Sequence, residues 1–97
     1  MTAAEIYKNT SATNQELVQV LKQLGFKDLS TEERFRFVHK TADSEVIFPQ
    51  GKMDAFVPKV YLPAFAYRLF MQGIIENEGV LKMMIEKNRE RQPALAA

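Results

Sequence analysis

The chain has no cysteine, and this absence removes several chemistries at once. Disulfide bridges, thiolate metal sites and cysteine nucleophiles all need that residue. The chain also has no tryptophan, and His39 is its only histidine. One histidine among scattered acidic residues lacks the spacing of a metal site. The sequence therefore predicts a protein with no metal site and no cofactor.

A long apolar run and a targeting signal are also missing. No stretch approaches the roughly 20 apolar residues that a membrane-spanning helix needs. Residues 1–5 lack the basic start and the apolar core of a signal peptide. We therefore expect a cytoplasmic protein that has no membrane partner.

Neither sign of charge dominates the chain. Thirteen basic and twelve acidic residues give a formal net charge of +1. Nucleic-acid-binding domains usually carry a clear excess of Lys and Arg, so any contact with RNA has to come from a local basic patch. Apolar side chains are abundant, at 46% of the total with seven Phe. That content is enough for one compact core in a single domain.

Helical periodicity predicts one helix before the strands and two after them. Thr13 and Glu16 match a capping box at the start of a helix over residues 14–24, and Gly25 suits its C-terminal cap. Apolar residues at helical spacing define the two later helices: Leu62, Phe65, Ala66, Leu69, Phe70 and Ile74 in the first, and Val80, Leu81, Met84 and Ile85 in the second. Tyr67 falls outside these stripes, which makes it a candidate interface residue.

Period-two alternation predicts a hairpin between these helices. Residues 34–40 and 45–48 have the pattern of its two strands, and residues 26–30 form a weaker strand before it. The two faces of the first hairpin strand differ in character: Phe35, Phe37 and His39 share one face, and Arg34, Arg36, Val38 and Lys40 share the other.

The predicted order of elements is helix, two or three strands, helix and helix. Strands grouped between helices favour an α+β fold, in which a small antiparallel sheet of two or three strands packs against the helices. We expect a single α+β domain over residues 13–91, a flexible N-terminal segment over residues 1–12 and a short C-terminal tail over residues 92–97.

Short motifs within residues 14–75 resemble the HicA family, small bacterial toxins of toxin–antitoxin pairs. The opening helix of that family ends in Leu-Leu-Lys-x-x-Gly-Phe, and Leu-Lys-Gln-Leu-Gly-Phe stands at residues 21–26. The last family strand closes on a proline, as residues 46–49 do, and the next helix commonly ends in Gly-Ile, like Gly73 and Ile74. The resemblance implies a fold like that of double-stranded-RNA-binding domains, cleavage of messenger RNA, and an antitoxin partner that blocks the site.

The chain departs from that family at the active site. The family signature is Gly-Ser-His at the start of the second strand, where an ungapped reading places Glu33, Arg34 and Phe35. Phenylalanine cannot transfer a proton. The resemblance therefore implies that the family activity is absent unless another residue replaces the histidine.

His39 is the catalytic candidate that remains. It lies four residues after Phe35 on the same predicted strand face, and histidine is the side chain most often used as a general base. The alternative is a structural histidine at the strand end, packed against Phe37. No second histidine and no Ser-His-Asp order accompanies His39, so the structural interpretation is favoured.

A basic row along the strands suggests a contact with phosphates. Five basic residues are the candidates for RNA binding: Arg34, Arg36, Lys40, Lys52 and Lys59. Lys and Arg side chains on an open sheet face contact phosphate oxygens. The alternative is a solvated face balanced by Glu45, and the near-neutral total charge favours this alternative.

These observations lead to one function hypothesis and two alternatives. The first is a non-catalytic binding module with a HicA-like fold, whose ligand is RNA or a protein partner such as an antitoxin. The second is a HicA-like toxin that cleaves messenger RNA with His39. The third is a structural protein that oligomerises through the last helix, where Met83 lies beside the apolar stripe.

Overall fold

Seven helices and strands among residues 2–91 form the α+β fold that the sequence predicts. The computed structural model describes these residues, so the tail expected over residues 92–97 lies outside the described part of the chain. The elements in chain order are α1 (Ala3–Ile6), α2 (Asn14–Gln23), β1 (Phe26–Asp28), β2 (Arg34–His39), β3 (Glu45–Pro49), α3 (Tyr61–Met71) and α4 (Val80–Glu90).

The three strands form one antiparallel sheet in the order β1-β2-β3. Phe26 of β1 lies opposite His39 of β2, and Phe35 of β2 lies opposite Phe48 of β3. Residues directly opposite each other point to the same face of a sheet. The register therefore collects the aromatic rings on one face and confirms the predicted hairpin and the weaker third strand.

The inner face of the sheet carries a group of phenylalanine rings. The Phe35 and Phe48 rings stack with centroids 4.7 Å apart, and those of Phe37 and Phe48 lie 6.2 Å apart. Phe65 of α3 tilts against Phe48 with centroids 6.0 Å apart. All four side chains are buried. Aromatic pairs in such geometries stabilise a core beyond the area they bury, so these rings join the sheet to the helical layer.

Both predicted caps of α2 are present. Thr13 Oγ1 accepts a hydrogen bond from the Glu16 N–H, and Glu16 Oε1 accepts one from the Thr13 N–H. Gly25 follows the helix with φ of +96°, a left-handed conformation that glycine adopts without strain. Glu16 also forms an ion pair with Arg89 of α4. The guanidinium holds the pKa of this carboxyl below its usual range, and the pair joins α2 to α4.

Residues 2–12, within the segment expected to be flexible, contain a short helix and side chains that pack in the core. α1 forms within it, and Tyr7 and Ala12 are buried in the core. The Tyr7 hydroxyl donates to the Glu78 carbonyl at 2.7 Å and accepts from the Lys82 N–H at 2.9 Å. Burial raises the pKa of Tyr7 to about 12. A buried hydroxyl therefore holds this segment against the start of α4.

The last helix begins after Gly79 and ends at Glu90. Its N-cap is Gly79, and the Asn77 side chain accepts a hydrogen bond from the Gly79 N–H at 2.9 Å. The charged residues after position 86 continue the helix to Glu90. Glycine has no side chain that could accept hydrogen bonds from the first N–H groups of a helix. The Tyr7 hydroxyl in the N-terminal segment accepts one of these hydrogen bonds, from the Lys82 N–H.

A pair of matched substitutions tests the assignment of the sheet faces. Phe37 is fully buried, whereas Phe56 in the loop before α3 is 67% exposed. Phe37→Ala should lower the free energy of unfolding by about 3–5 kcal/mol. Phe56→Ala removes the same atoms from the surface and should change it by less than about 0.5 kcal/mol. Denaturant midpoints in the reverse order would show that the inner face is wrongly assigned.

Candidate functional site

Both ring nitrogens of His39 form hydrogen bonds. Its Nε2 lies 2.9 Å from the Leu24 carbonyl oxygen. Its Nδ1 lies 3.1 Å from the Ala42 backbone nitrogen and 3.3 Å from that of Thr41. The ring also packs edge-on against Phe26 with centroids 5.0 Å apart.

These contacts define the role of the ring. A carbonyl only accepts, so Nε2 carries the proton and donates to Leu24, while Nδ1 accepts from the two backbone N–H groups. Leu24 is the C-cap of α2, so His39 satisfies a carbonyl at the helix end and also fastens the turn after β2. A Cβ atom at Gly25 would lie 3.2 Å from Nε2, which shows how closely the chain passes the ring. Neither ring nitrogen is left free to take a proton from a substrate.

Phe35 lies where the family comparison would put the catalytic histidine. Its side chain is buried against Phe48 on the inner face of the sheet. The surface beside it is a shallow depression of about 420 Å³ lined by Thr31, Glu32, Glu33 and Arg34. It offers carboxylates and one guanidinium, with no imidazole among them.

The outer face of the sheet carries two of the five predicted RNA-binding residues, and a third lies in the turn after β2. Arg34 and Arg36 alternate with buried phenylalanines along β2 and point away from the helices. Lys27 of β1 joins them, because it lies opposite Val38. Lys40 is exposed in the turn after β2. We define the outer sheet face by its strand residues: Lys27, Arg34, Arg36, Val38, Glu45, Ile47 and Pro49.

Acidic residues reduce the charge of this face. Arg36 Nε lies 2.5 Å from Glu45 Oε2, and both side chains are about two-fifths exposed. Exposed pairs of this kind contribute roughly 0–1 kcal/mol to stability. Glu32 and Glu33 stand beside Arg34 at one end of β2. The outer sheet face is therefore positive, but only modestly.

The other two predicted RNA-binding residues lie elsewhere. Lys52 and Lys59 belong to the loop between β3 and α3. The Asn14 side chain donates to the Lys52 carbonyl at 2.8 Å, which fastens that loop to the start of α2. These two lysines therefore do not extend the strand row of Arg34 and Arg36.

A second exposed surface lies on α3. Its inner side is buried and carries Leu62, Phe65, Ala66 and Leu69. Its opposite side carries an exposed row at spacings of four, three and four residues, which we call the outer stripe of α3: Val60, Ala64, Tyr67 and Met71. Val60, Tyr67 and Met71 are 70%, 54% and 63% exposed.

Charge is nearly absent from α3. Arg68 is the one charged residue in its eleven positions, and Arg68 Nη1 donates to the Glu45 carbonyl at 2.7 Å. Phe70, which the sequence predicts for the buried stripe, is 38% exposed and flanks the outer stripe. A helix that is apolar on all sides is normally buried on all sides. The outer stripe is thus the surface of this chain that departs most from an ordinary solvent-facing helix.

The described residues add two further findings. Residues 2–91 contain no group of three or more acidic or histidine side chains able to hold a metal ion. Within the same residues, no helix combines the length and the apolar content that crossing a lipid bilayer requires.

Two surface residues show what the sequence pattern can and cannot reveal. Tyr67 was identifiable because it falls outside the apolar stripe of its helix. Lys27 was not, because a strand of three residues has too little alternation to assign a face without its partner Val38.

The structural role of His39 can be measured directly. His39→Ala should lower the free energy of unfolding by about 1–3 kcal/mol, because a carbonyl and two N–H groups lose their partner. Lys40→Ala, at the exposed neighbouring position, is the control and should stay within about 0.5 kcal/mol of the parent chain. Equal denaturant midpoints for His39→Ala and the parent chain would contradict the structural role.

Comparisons of the chain with protein-family models, with curated proteins and with solved structures found no match. The likeness to the HicA family therefore stays a resemblance between short motifs. The features of the chain that bear on its function are the two exposed surfaces and the hydrogen-bonded ring of His39.

Proposed function

We propose that this chain is a non-catalytic interaction module that binds a protein partner through the outer stripe of α3. The observation that carries the proposal is a surface helix that is apolar on both its inner and its outer side. Water-facing helices normally place charged or polar residues opposite their buried stripe. Here Val60, Tyr67 and Met71 occupy those positions.

The other helices provide an internal comparison. The exposed positions of α4 include Glu86, Lys87 and Glu90 around Met83, which is an ordinary solvated pattern. Interface cores are depleted in charged residues and enriched in Tyr, Phe and Met. The outer stripe and the flanking Phe70 match that composition, and α4 does not.

Two positions, 35 and 39, are the candidates for a catalytic residue, and neither supplies a group for proton transfer. Phe35 has no group that exchanges protons and is packed against Phe48. His39 uses both ring nitrogens in hydrogen bonds that stabilise the fold. Each positioned acid or base typically contributes about 10²–10⁴-fold to a rate, and neither position supplies one.

Site-specific photo-crosslinking tests the protein-binding proposal in cells that produce the chain. A benzoylphenylalanine introduced at position 67 or at position 71 should give covalent adducts, because these side chains would lie within the interface. The same group at position 83, where Met83 is 45% exposed, is the control and should give none. Equal adducts at all three positions, or adducts at none, would contradict the proposal.

RNA is a second candidate ligand, and one observation favours it. Three of the four charged residues in the outward positions of the strands are basic, although the whole chain is near neutral. β2, from Arg34 to His39, extends over about 17 Å, which is roughly five phosphate spacings along a nucleic-acid strand. Lys27, Arg34 and Lys40 are available for phosphates, since Arg36 pairs with Glu45.

The salt dependence of binding separates this candidate from non-specific attraction. With three phosphate contacts, the logarithm of the association constant for an RNA duplex should fall linearly with the logarithm of the salt concentration, at a slope of about −2 to −3. Combining Lys27→Ala, Arg34→Ala and Lys40→Ala should flatten that slope towards zero. The control combines Lys52→Ala, Lys59→Ala and Lys87→Ala, which removes equal charge elsewhere and should keep most of the slope.

The outcomes of that titration also address the remaining alternative. Undetectable binding at low salt would remove RNA as a ligand. RNA that is cut during the titration, with cutting abolished by His39→Ala in a folded sample, would contradict the non-catalytic proposal and establish the enzyme alternative.

A further inference from the structure

The outer stripe of α3 is symmetric about its own centre. Val60 and Met71 lie at its two ends, and Ala64 and Tyr67 lie between them. The midpoint of each pair falls at the same place, between Phe65 and Ala66. When two such helices cross in antiparallel directions at that midpoint, Val60 of one meets Met71 of the other, and Ala64 meets Tyr67.

This pairing matches large side chains with smaller ones. A methyl group at Ala64 leaves room for the ring of Tyr67, and the branched Val60 receives the flexible Met71. A two-fold axis produces each contact twice, since an isologous interface uses the same patch on both copies. Parallel packing would instead place Tyr67 against Tyr67 and leave a gap beside Ala64.

We infer that the partner of the outer stripe is a second copy of this chain, packed α3 against α3 in antiparallel directions about a two-fold axis. This inference rests on the proposed function and names its partner. Charge within the outer stripe does not oppose the arrangement, because the stripe carries none. Arg68 keeps its positive charge and donates to the Glu45 carbonyl at the side of the stripe. Two copies that each carry a charged row would repel instead.

The size of the stripe indicates a weak dimer. The large apolar side chains exposed on this surface are Val60, Tyr67 and Met71 of the outer stripe and the flanking Phe70. From the 150–250 Å² that a large aromatic side chain presents when fully exposed, we estimate about 800 Å² buried over both copies, in the range of weak and transient interfaces. We therefore expect a dimer that dissociates on dilution.

The arrangement leaves the sheet open. α3 packs its inner side on the sheet through Phe65 and Phe48, so its outer stripe faces away from the sheet. The outer sheet face lies on the far side of the same layer. Each copy in the dimer would therefore keep Lys27, Arg34 and Lys40 exposed to solvent.

Sedimentation velocity of the purified full chain measures the association. Over about 10 µM to 1 mM protein the parent chain should shift from monomer to dimer. Tyr67→Glu should raise the dimer dissociation constant by about thirty-fold, the effect of losing a central aromatic contact. Met83→Glu on α4 places the same charge at another exposed apolar residue and should leave the constant within about twofold.

Engineered cysteines test the geometry, and the natural chain has none to interfere. Val60→Cys and Met71→Cys, mixed in equal amounts and oxidised, should form a disulfide-linked dimer. Each variant alone should not, since identical positions in an antiparallel pair are about 16 Å apart along the helix axis, too far for a disulfide. A linked dimer from Val60→Cys alone would overturn the antiparallel arrangement.

The results separate this inference from the proposed function. A chain that stays monomeric up to 1 mM, while photo-adducts at positions 67 and 71 have the mass of a different protein, overturns the second copy as partner and retains the docking surface. A monomer without any stripe-specific adduct overturns both. Adducts of twice the mass of the chain, together with a concentration-dependent dimer, support both.

Discussion

The burial of one face of β2 fixes the direction of every other side chain in that strand. Side chains alternate with a period of two, so shifting the register by one residue would exchange the two faces. Such a slip would bury Arg34 and Arg36 and expose Phe35 and Phe37. The contacts of Phe35 and Phe37 with Phe48 oppose that slip. The basic residues of the outer sheet face therefore point to solvent as a consequence of ring packing.

The same constraint explains why the departure from the HicA signature is more than the exchange of one side chain. Position 35 lies on the buried face, where the Phe35 side chain stacks on Phe48 and is shielded from solvent. A histidine there would be a buried polar group in need of partners. His39 lies beyond the rings at the strand end and has found such partners, in Leu24 and the following turn. The imidazole of His39 thus lies at the position of this strand where backbone groups can form hydrogen bonds with both of its nitrogens.

Sequence patterns predicted the local features and missed those that depend on distant parts of the chain. The capping box of α2 and the alternation of β2 involve residues within a few positions of each other, and both are confirmed. Tyr7 lies in the segment expected to be flexible, and no local pattern could predict its contacts, because its partners, Glu78 and Lys82, lie 71 and 75 residues away. On α3, apolar residues lie on two opposite sides of the helix, and the sequence pattern alone does not distinguish the buried side from the exposed side. Only the packed structure shows that one side remains exposed.

Two surfaces on opposite sides of the molecule differ in charge, although the total charge of the chain is near neutral. The outer sheet face carries charged residues and is modestly positive, while the outer stripe of α3 is apolar and uncharged. A charge close to zero gives two copies little long-range repulsion. The costs of association through the stripe are then the lost freedom of the partners, the ordering of side chains and the desolvation of polar groups. Because the sheet and the helical layer share one core, packing on either surface need not displace residues of the other. Substitutions on the two surfaces should therefore have effects that are independent of each other.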